Sequence, residues 1–153
     1  MTDIITKIKN YFEKEPINLP KQLKVDGKFN LAKGEKILIG RGEFPIDGHT
    51  VYKISGSEND ANISGYGVKI SYDREGSILI EKPDLIINDK SYFGSNKISV
   101  SDTRDQWEPV DRVYNAGPGF NLNKIKIEGD SGSNFIIEVV DSHTFKLLSF
   151  ESK

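Results

Sequence analysis

The sequence predicts a mainly β protein: an antiparallel β-sandwich or barrel-like domain with one N-terminal amphipathic helix. Three observations carry that expectation. From Gln22 onward the chain is a succession of short segments rich in Ile, Val, Tyr and Ser, each bounded by Gly, Asn, Asp or Pro, which is how antiparallel strands are punctuated. Only "TDIITKIKNYFEKEP", near the start, has helical periodicity. No fixed-period repeat, heptad pattern or low-complexity tract interrupts this organisation. The domains expected are a helical arm, 1–18, and an antiparallel β domain, 19–153, with 101–112 as the place where two β lobes would divide.

The helix comes first. Ile4, Ile5, Ile8, Tyr11 and Phe12 fall on one face while Lys7, Lys9, Glu13 and Lys14 fall elsewhere; Thr2 or Asp3 can cap the segment and Pro16 stops it. "QLKVDGKFNLA" then reads as a hairpin, with Asp26-Gly27 supplying the positive backbone angles of a tight primed turn. Strands follow in "KILIGRGEFPI", "HTVYKIS", "GVKISYD", "SILIEKPDLIIND" and "KISVSD". "SDTRDQWEPVDR", Ser101 to Arg112, breaks the rhythm with charges and Pro109 and reads as a long loop or a seam. Gly117-Pro118-Gly119 suits a type II turn, where proline presets the first central angle and glycine accepts a positive one at the second. The C-terminal part is a meander: "KIKIEG", "NFIIEVV" and "TFKLLSF", joined by "DSGS" and an Asp-Ser-His-Thr turn.

Composition narrows the function. At 153 residues the chain can bury roughly 70% of its unfolded surface without a staple. It has no cysteine, so disulfides, thiolate metal sites and cysteine nucleophiles are absent, and a reducing compartment suits it. With 21 Lys plus Arg against 23 Asp plus Glu and no long single-sign run, it lacks the basic footprint of a nucleic-acid binder. No apolar run approaches a signal peptide or a membrane span, so the expectation is a soluble protein made inside the cell.

The residues that could carry chemistry are few. The two histidines each precede a threonine, in His49-Thr50 and His143-Thr144. A 2H phosphoesterase needs the hydroxyl two residues after each histidine, where it shares the imidazole's pocket. Here those positions are Val51 and Phe145, and neighbours on a strand point to opposite faces. Both sites therefore read as turns, with Asp141 accepting backbone N–H groups across the second. Arg41 in "ILIGRGEF" matches the Gly-Arg of forkhead-associated domains, but that family's Ser-x-x-His and Asn-Gly segments do not follow. "GYGVKI" lacks the strand-to-helix context and Lys-Ser/Thr of a phosphate loop, and "EGDSGSN" lacks the alternating acids and terminal Glu of a calcium loop. Asp102, Asp105, Glu108 and Asp111 are interspersed with Arg104 and Arg112, the pattern of a solvated polar loop. The expectation is no catalytic residue, cofactor or metal. The residues singled out for contact with other proteins are Ile4, Ile5, Ile8, Tyr11, Phe12 and Trp107: an apolar helix face must dock somewhere, and aromatic residues are enriched at interfaces.

"VYNAGPGFNLNKIKIEGDSGSNFIIEVVDSHTFKLLSF" resembles β-meanders of tailed-bacteriophage structural proteins found in tails, baseplates, necks and capsid decoration. The likeness lies in the order of Tyr-Asn-x-Gly-x-Gly-Phe turn, strand, Gly-rich turn, strand ending in Val-x-Asp-x-x-Thr-Phe, and last strand, and it covers about 40 residues. It implies a virion component, synthesised and assembled in the host cytoplasm, whose partners are its own copies and other virion structural proteins, and it implies no catalytic residue. The alternative is a β-sandwich module that binds carbohydrate or peptide through Trp107, Tyr114 and nearby polar groups. An enzyme using His49 and His143 ranks third.

Overall fold

The computed structural model describes residues 19–42, 44–102, 106–117 and 122–153. The helix expected within 1–18, with Ile4, Ile5, Ile8, Tyr11 and Phe12, lies outside the described residues, as do Pro118 and Gly119. Among the described residues the regular structure is strand. One six-stranded sheet runs β1 (Lys21–Leu23), β4 (Thr50–Ile54), β3 (Lys36–Gly40), β5 (Val68–Tyr72), β6 (Ile78–Glu81), β11 (Val113–Asn115). A second runs β10 (Trp107–Val110), β9 (Lys97–Ser101), β12 (Lys124–Glu128), β13 (Asn134–Val139), β14 (Thr144–Glu151), β2 (Lys28–Asn30). A separate hairpin pairs β7 (Asp84–Ile87) with β8 (Lys90–Phe93).

Alternation in the sequence decides what each strand buries. Ile37 and Ile39, Val68 and Ile70, and Ile78 and Ile80 of the first sheet meet Ile98 and Val100, Ile125 and Ile127, Phe135 and Ile137, and Phe145 and Leu147 of the second in one apolar core. The two sheets therefore face each other as a sandwich. The core draws on residues before and after 101–112 alike. β3 departs from strict alternation because Leu38, on its outer face, is also buried, in a small cluster with Val51, Tyr66 and Leu85. The β7–β8 hairpin covers that face, so "ILIG" reads as a continuous apolar run, as a strand buried on both sides should. Asn88 and Asp89, with φ of 51° and 62°, supply the positive angles of that hairpin's tight turn.

The C-terminal meander forms as the sequence predicts: β12, β13 and β14 are antiparallel neighbours, with a bulge between Ile136 and Ile137. Three other expectations need correction. Asp26 does take a positive φ of 71°, yet β1 and β2 do not form a hairpin. β1 pairs with β4 and β2 with β14, so the turn crosses from one sheet to the other. The reason is burial, since Leu23 and Phe29 both enter the core, one from each sheet, where a hairpin would have left one face in water. Nor is the structure purely antiparallel, because β1, β4 and β3 pair in parallel. The segment Arg41–His49 carries the chain back along β3 before β4 begins, and apolar alternation carries no information about strand direction. Finally, 101–112 is not a loop throughout, since Trp107–Val110 pairs in register with Ile98–Ser101.

Each lateral side of the sandwich is thus crossed once by a short link. Lys24–Gly27 joins edge strands β1 and β2, and Asp111–Arg112 joins edge strands β10 and β11.

Candidate binding site

The β10–β11 side holds a pocket lined by aromatic and charged residues. Register explains its composition. Glu108 lies opposite Val100, and residues directly opposite share a face, so a carboxylate is directed between the sheets beside a core valine. On β11, Tyr114 lies opposite Ile80 and packs against the same core. The two strands are edges of different sheets, so their inward side chains meet at the open rim of the sandwich. The result is a pocket of about 170 Å³ lined by Val100, Asp102, Gln106, Trp107, Glu108 and Tyr114.

Trp107 is 42% exposed, and the Lys126 ammonium stands 5.7 Å from its ring centre in cation–π contact. Lys126 lies between inward-facing Ile125 and Ile127, so it approaches from the outer face of the sheet, where Glu128 is 4.0 Å away. Burial raises the Tyr114 phenol above its ordinary pKa, and the negative charges of Glu108 and Asp102 raise it further. The Tyr114 phenol thus stands in the negative field of Glu108 and Asp102, while the Trp107 ring, on the strand position next to inward Glu108, meets Lys126 on the outer face.

The β11 backbone adds a second feature. The Lys82 N–H donates to the Arg112 carbonyl at 2.9 Å and the Ala116 N–H to the Ile78 carbonyl at 3.0 Å, with Tyr114 opposite Ile80. Hydrogen-bonded pairs alternate along an antiparallel ladder, so residues 112, 114 and 116 turn their polar groups toward β6. Val113 and Asn115 turn theirs away, along an edge that no strand covers among the described residues. Val113 is 56% exposed, and nearby Phe93 is exposed beneath the Arg112 guanidinium, 5.3 Å from its ring centre. β10, by contrast, carries Pro109, which has no N–H to offer along its edge.

The other residues singled out in the sequence go elsewhere. Nδ1–H of His49 donates to the Asp47 carbonyl at 2.7 Å; burial, with the positive charges of Lys69 and Lys36, lowers its pKa despite that bond. His143 sits in the β13–β14 turn, its N–H donating to Asp141 Oδ1 at 2.8 Å and its Nδ1 lying 3.1 Å from the Tyr72 hydroxyl. The two imidazoles have no partner in common, and the Asp141 turn forms as the sequence predicts. Arg41 donates through Nε to the Ile63 carbonyl at 2.6 Å, an internal tie. Asp102 and Glu108 reach the pocket, Asp111 is exposed in the β10–β11 link, and Arg104 and Asp105 lie outside the described residues. No three His, Asp or Glu side chains converge as metal ligands would among the described residues.

Sequence reasoning singled out Trp107 and named Tyr114 beside it, but it missed Glu108 as their neighbour. The available signal was period two within "WEPV": if Val110 is inward, so is Glu108. No protein-family model, curated protein or solved structure matches the chain.

Proposed function

We propose that this chain is a structural virion protein of a tailed bacteriophage, a connector, tail or capsid-associated component that works through contacts with its own copies and with other virion proteins. One observation supports the contact reading above the rest: among the described residues the β10–β11 side leaves the β11 edge unpaired, and Val113, Phe93 and Trp107 on that side are exposed. Exposed edges of this kind are templates for pairing with another chain. The virion part of the reading rests on the resemblance of the last 40 or so residues to phage β-meanders. In this reading residues 1–18 are a helical arm whose Ile4, Ile5, Ile8, Tyr11 and Phe12 bind a neighbouring subunit. The arm joins the domain near β1, on the side opposite β11. An arm on one side and an open edge on the other make a head-to-tail contact, which closes into a ring when the rotation per subunit permits. The reading includes no catalytic step and no cofactor.

Light scattering on the eluting protein tests this. The intact chain should have the mass of a multimer, and a chain lacking residues 1–18 should keep its β circular dichroism yet become monomeric. A monomer at all concentrations that also fails to co-assemble with other virion proteins overturns the reading. A second reading, a module that binds carbohydrate or peptide, is favoured by the meeting of Trp107 and Tyr114 in one pocket. Glycan binding by a monomer would select it.

A further inference from the structure

We propose that Asp47-Gly48 is a self-modification site, at which the aspartate closes onto the Gly48 nitrogen and reopens as isoaspartate with the His49 imidazole assisting. The inference is independent of the assembly reading.

The chain has two Asp-Gly steps, Asp26-Gly27 and Asp47-Gly48, and no Asn-Gly. Such a step is reactive because glycine has no Cβ to shield its nitrogen from the carboxyl group of the residue before it. The fold treats the two differently. At Asp26-Gly27 the nitrogen is engaged, since the Gly27 N–H donates to the Lys24 carbonyl at 2.8 Å. Both residues are also tied to β14, the Asp26 N–H donating to the Leu147 carbonyl and the Leu147 N–H to the Gly27 carbonyl, and the Lys146 ammonium is 3.6 Å from the Asp26 carboxylate. At Asp47-Gly48 both residues are exposed, and the Gly48 N–H has no acceptor among the described residues. Nothing lies within 4 Å of where a Cβ on Gly48 would stand. The turn is closed by the His49 N–H, which donates to the Ile46 carbonyl at 3.1 Å.

The second step also has a donor at the reacting group. His49 Nδ1 lies 2.7 Å from the Asp47 carbonyl oxygen. A carbonyl has no proton to give, so the imidazole carries the proton on Nδ1 and donates it. That oxygen belongs to the peptide group whose nitrogen is the nucleophile. As the Gly48 N–H gives its proton to water, peptide resonance spreads the negative charge onto the Asp47 oxygen, where the donor already stands. The nitrogen then bonds to the side-chain carboxyl carbon of Asp47, a C–O bond of that carboxyl breaks, and its oxygen leaves as water, giving a cyclic imide. Water adding to the former peptide carbonyl puts charge on the same oxygen, again opposite Nδ1–H. The C–N bond on that side breaks, the nitrogen regains a proton, and the chain runs on through the side-chain carbonyl. The product keeps its mass but has an additional backbone methylene, and its free carboxylate is the former Asp47 carbonyl, just before β4.

The intact protein, held at neutral pH for increasing times and then digested, tests this. Reversed-phase chromatography separates the isomeric peptides, and electron-transfer fragmentation locates the isoaspartate. It should accumulate at position 47 about tenfold or more faster than at position 26, the rate difference expected from one hydrogen bond to a developing charge. His49→Ala should slow position 47 by about the same factor. Asp47→Glu, which would have to close a larger ring, should abolish the isomer there. In urea, where neither the Gly27 tie nor the His49 contact is held, the two steps should react at similar rates. No isoaspartate at 47, equal rates at the two steps in the folded protein, or the same preference in urea overturns the proposal. So does an unchanged rate in His49→Ala with the parent's circular dichroism. The comparison of the two native steps needs no variant, so misfolding of His49→Ala could not obscure it.

Discussion

The two lateral sides of the sandwich are built alike and end differently. Each has an edge strand from either sheet and one short link between them. At the β1–β2 side, Leu23 and Phe29 are both buried, and Phe29 packs on Phe145 and Tyr52 with ring centres 5.3 and 5.0 Å apart. The link is bound to the sheet as well: the Asp26 N–H donates to the Leu147 carbonyl at 2.7 Å and the Leu147 N–H to the Gly27 carbonyl at 3.0 Å. At the β10–β11 side only Val110 is fully buried; Trp107, Glu108, Pro109, Val113 and Asn115 are exposed and Tyr114 is half-buried. One side is closed by core packing, and the other leaves most of its edge residues at the surface. The contrast separates a packed edge from an exposed one within one fold.

The largest expected effect tests whether the closed side carries stability. Phe29→Ala removes a ring from a site that is 4% exposed and should cost about 3–5 kcal/mol in denaturant unfolding. Val113→Ala on the open side should change stability by no more than about 0.5 kcal/mol. Equal losses at the two positions would abolish the distinction.

The links give the next largest effect. Asp26 holds a φ of 71°, a conformation that costs a residue with a Cβ roughly 1–2 kcal/mol and that short polar side chains tolerate best. Asp26→Ala should therefore destabilise by about 1 kcal/mol, and Asp26→Gly should be neutral or stabilising. No positive φ occurs at Asp111 or Arg112, so Asp111→Ala should fall within about 0.5 kcal/mol of the parent. Thermal unfolding of the three variants in parallel checks the order.

Pro109 offers a test without a stability component. On an edge strand it suppresses pairing with other chains, so Pro109→Val should leave unfolding nearly unchanged while raising concentration-dependent association, read by sedimentation. An unaltered association would mean that β10 is screened by something other than the missing N–H.

Much of this was legible in the sequence, and the limits have physical causes. Alternation in "KIKIE" and "TFKLLSF" located strands and their inward residues, because a side-chain period of two is fixed by the pleat. Asp141 identified its turn because an aspartate bonds to the backbone two residues on wherever it sits. The "DG" at Asp26-Gly27 misled, since the same turn that joins a hairpin can cross between two sheets, and only the burial of both Leu23 and Phe29 decides between them. The parallel pairing of β3 with β4 was invisible because direction is set by the path of Arg41–His49, which no local pattern encodes. At the site, Trp107 stood out by rarity. Glu108 did not, because a carboxylate on the inward face of an edge strand resembles any solvated charge until its partners across the rim are known.

The smallest expected effect compares how the two sides hold a tyrosine. Tyr52, beside Phe29 on the closed side, and Tyr114 on the open side both have phenols raised above the ordinary value of 10.0, with burial as the leading cause in each. The second cause differs. For Tyr52 it is Glu35, whereas for Tyr114 it is Glu108 and then Asp102. Because both folded-state values are raised, the unfolded chain loses these protons first as pH climbs past about 10, so native stability should decline from there through the folded values and should not change on this account below them. Glu108→Gln should lower the Tyr114 titration midpoint, read from its own ring resonances by NMR, and leave that of Tyr52 in place; Glu35→Gln should do the reverse and lower that of Tyr72 as well. If either variant moved both midpoints equally, the two sides would be electrostatically coupled through the sandwich.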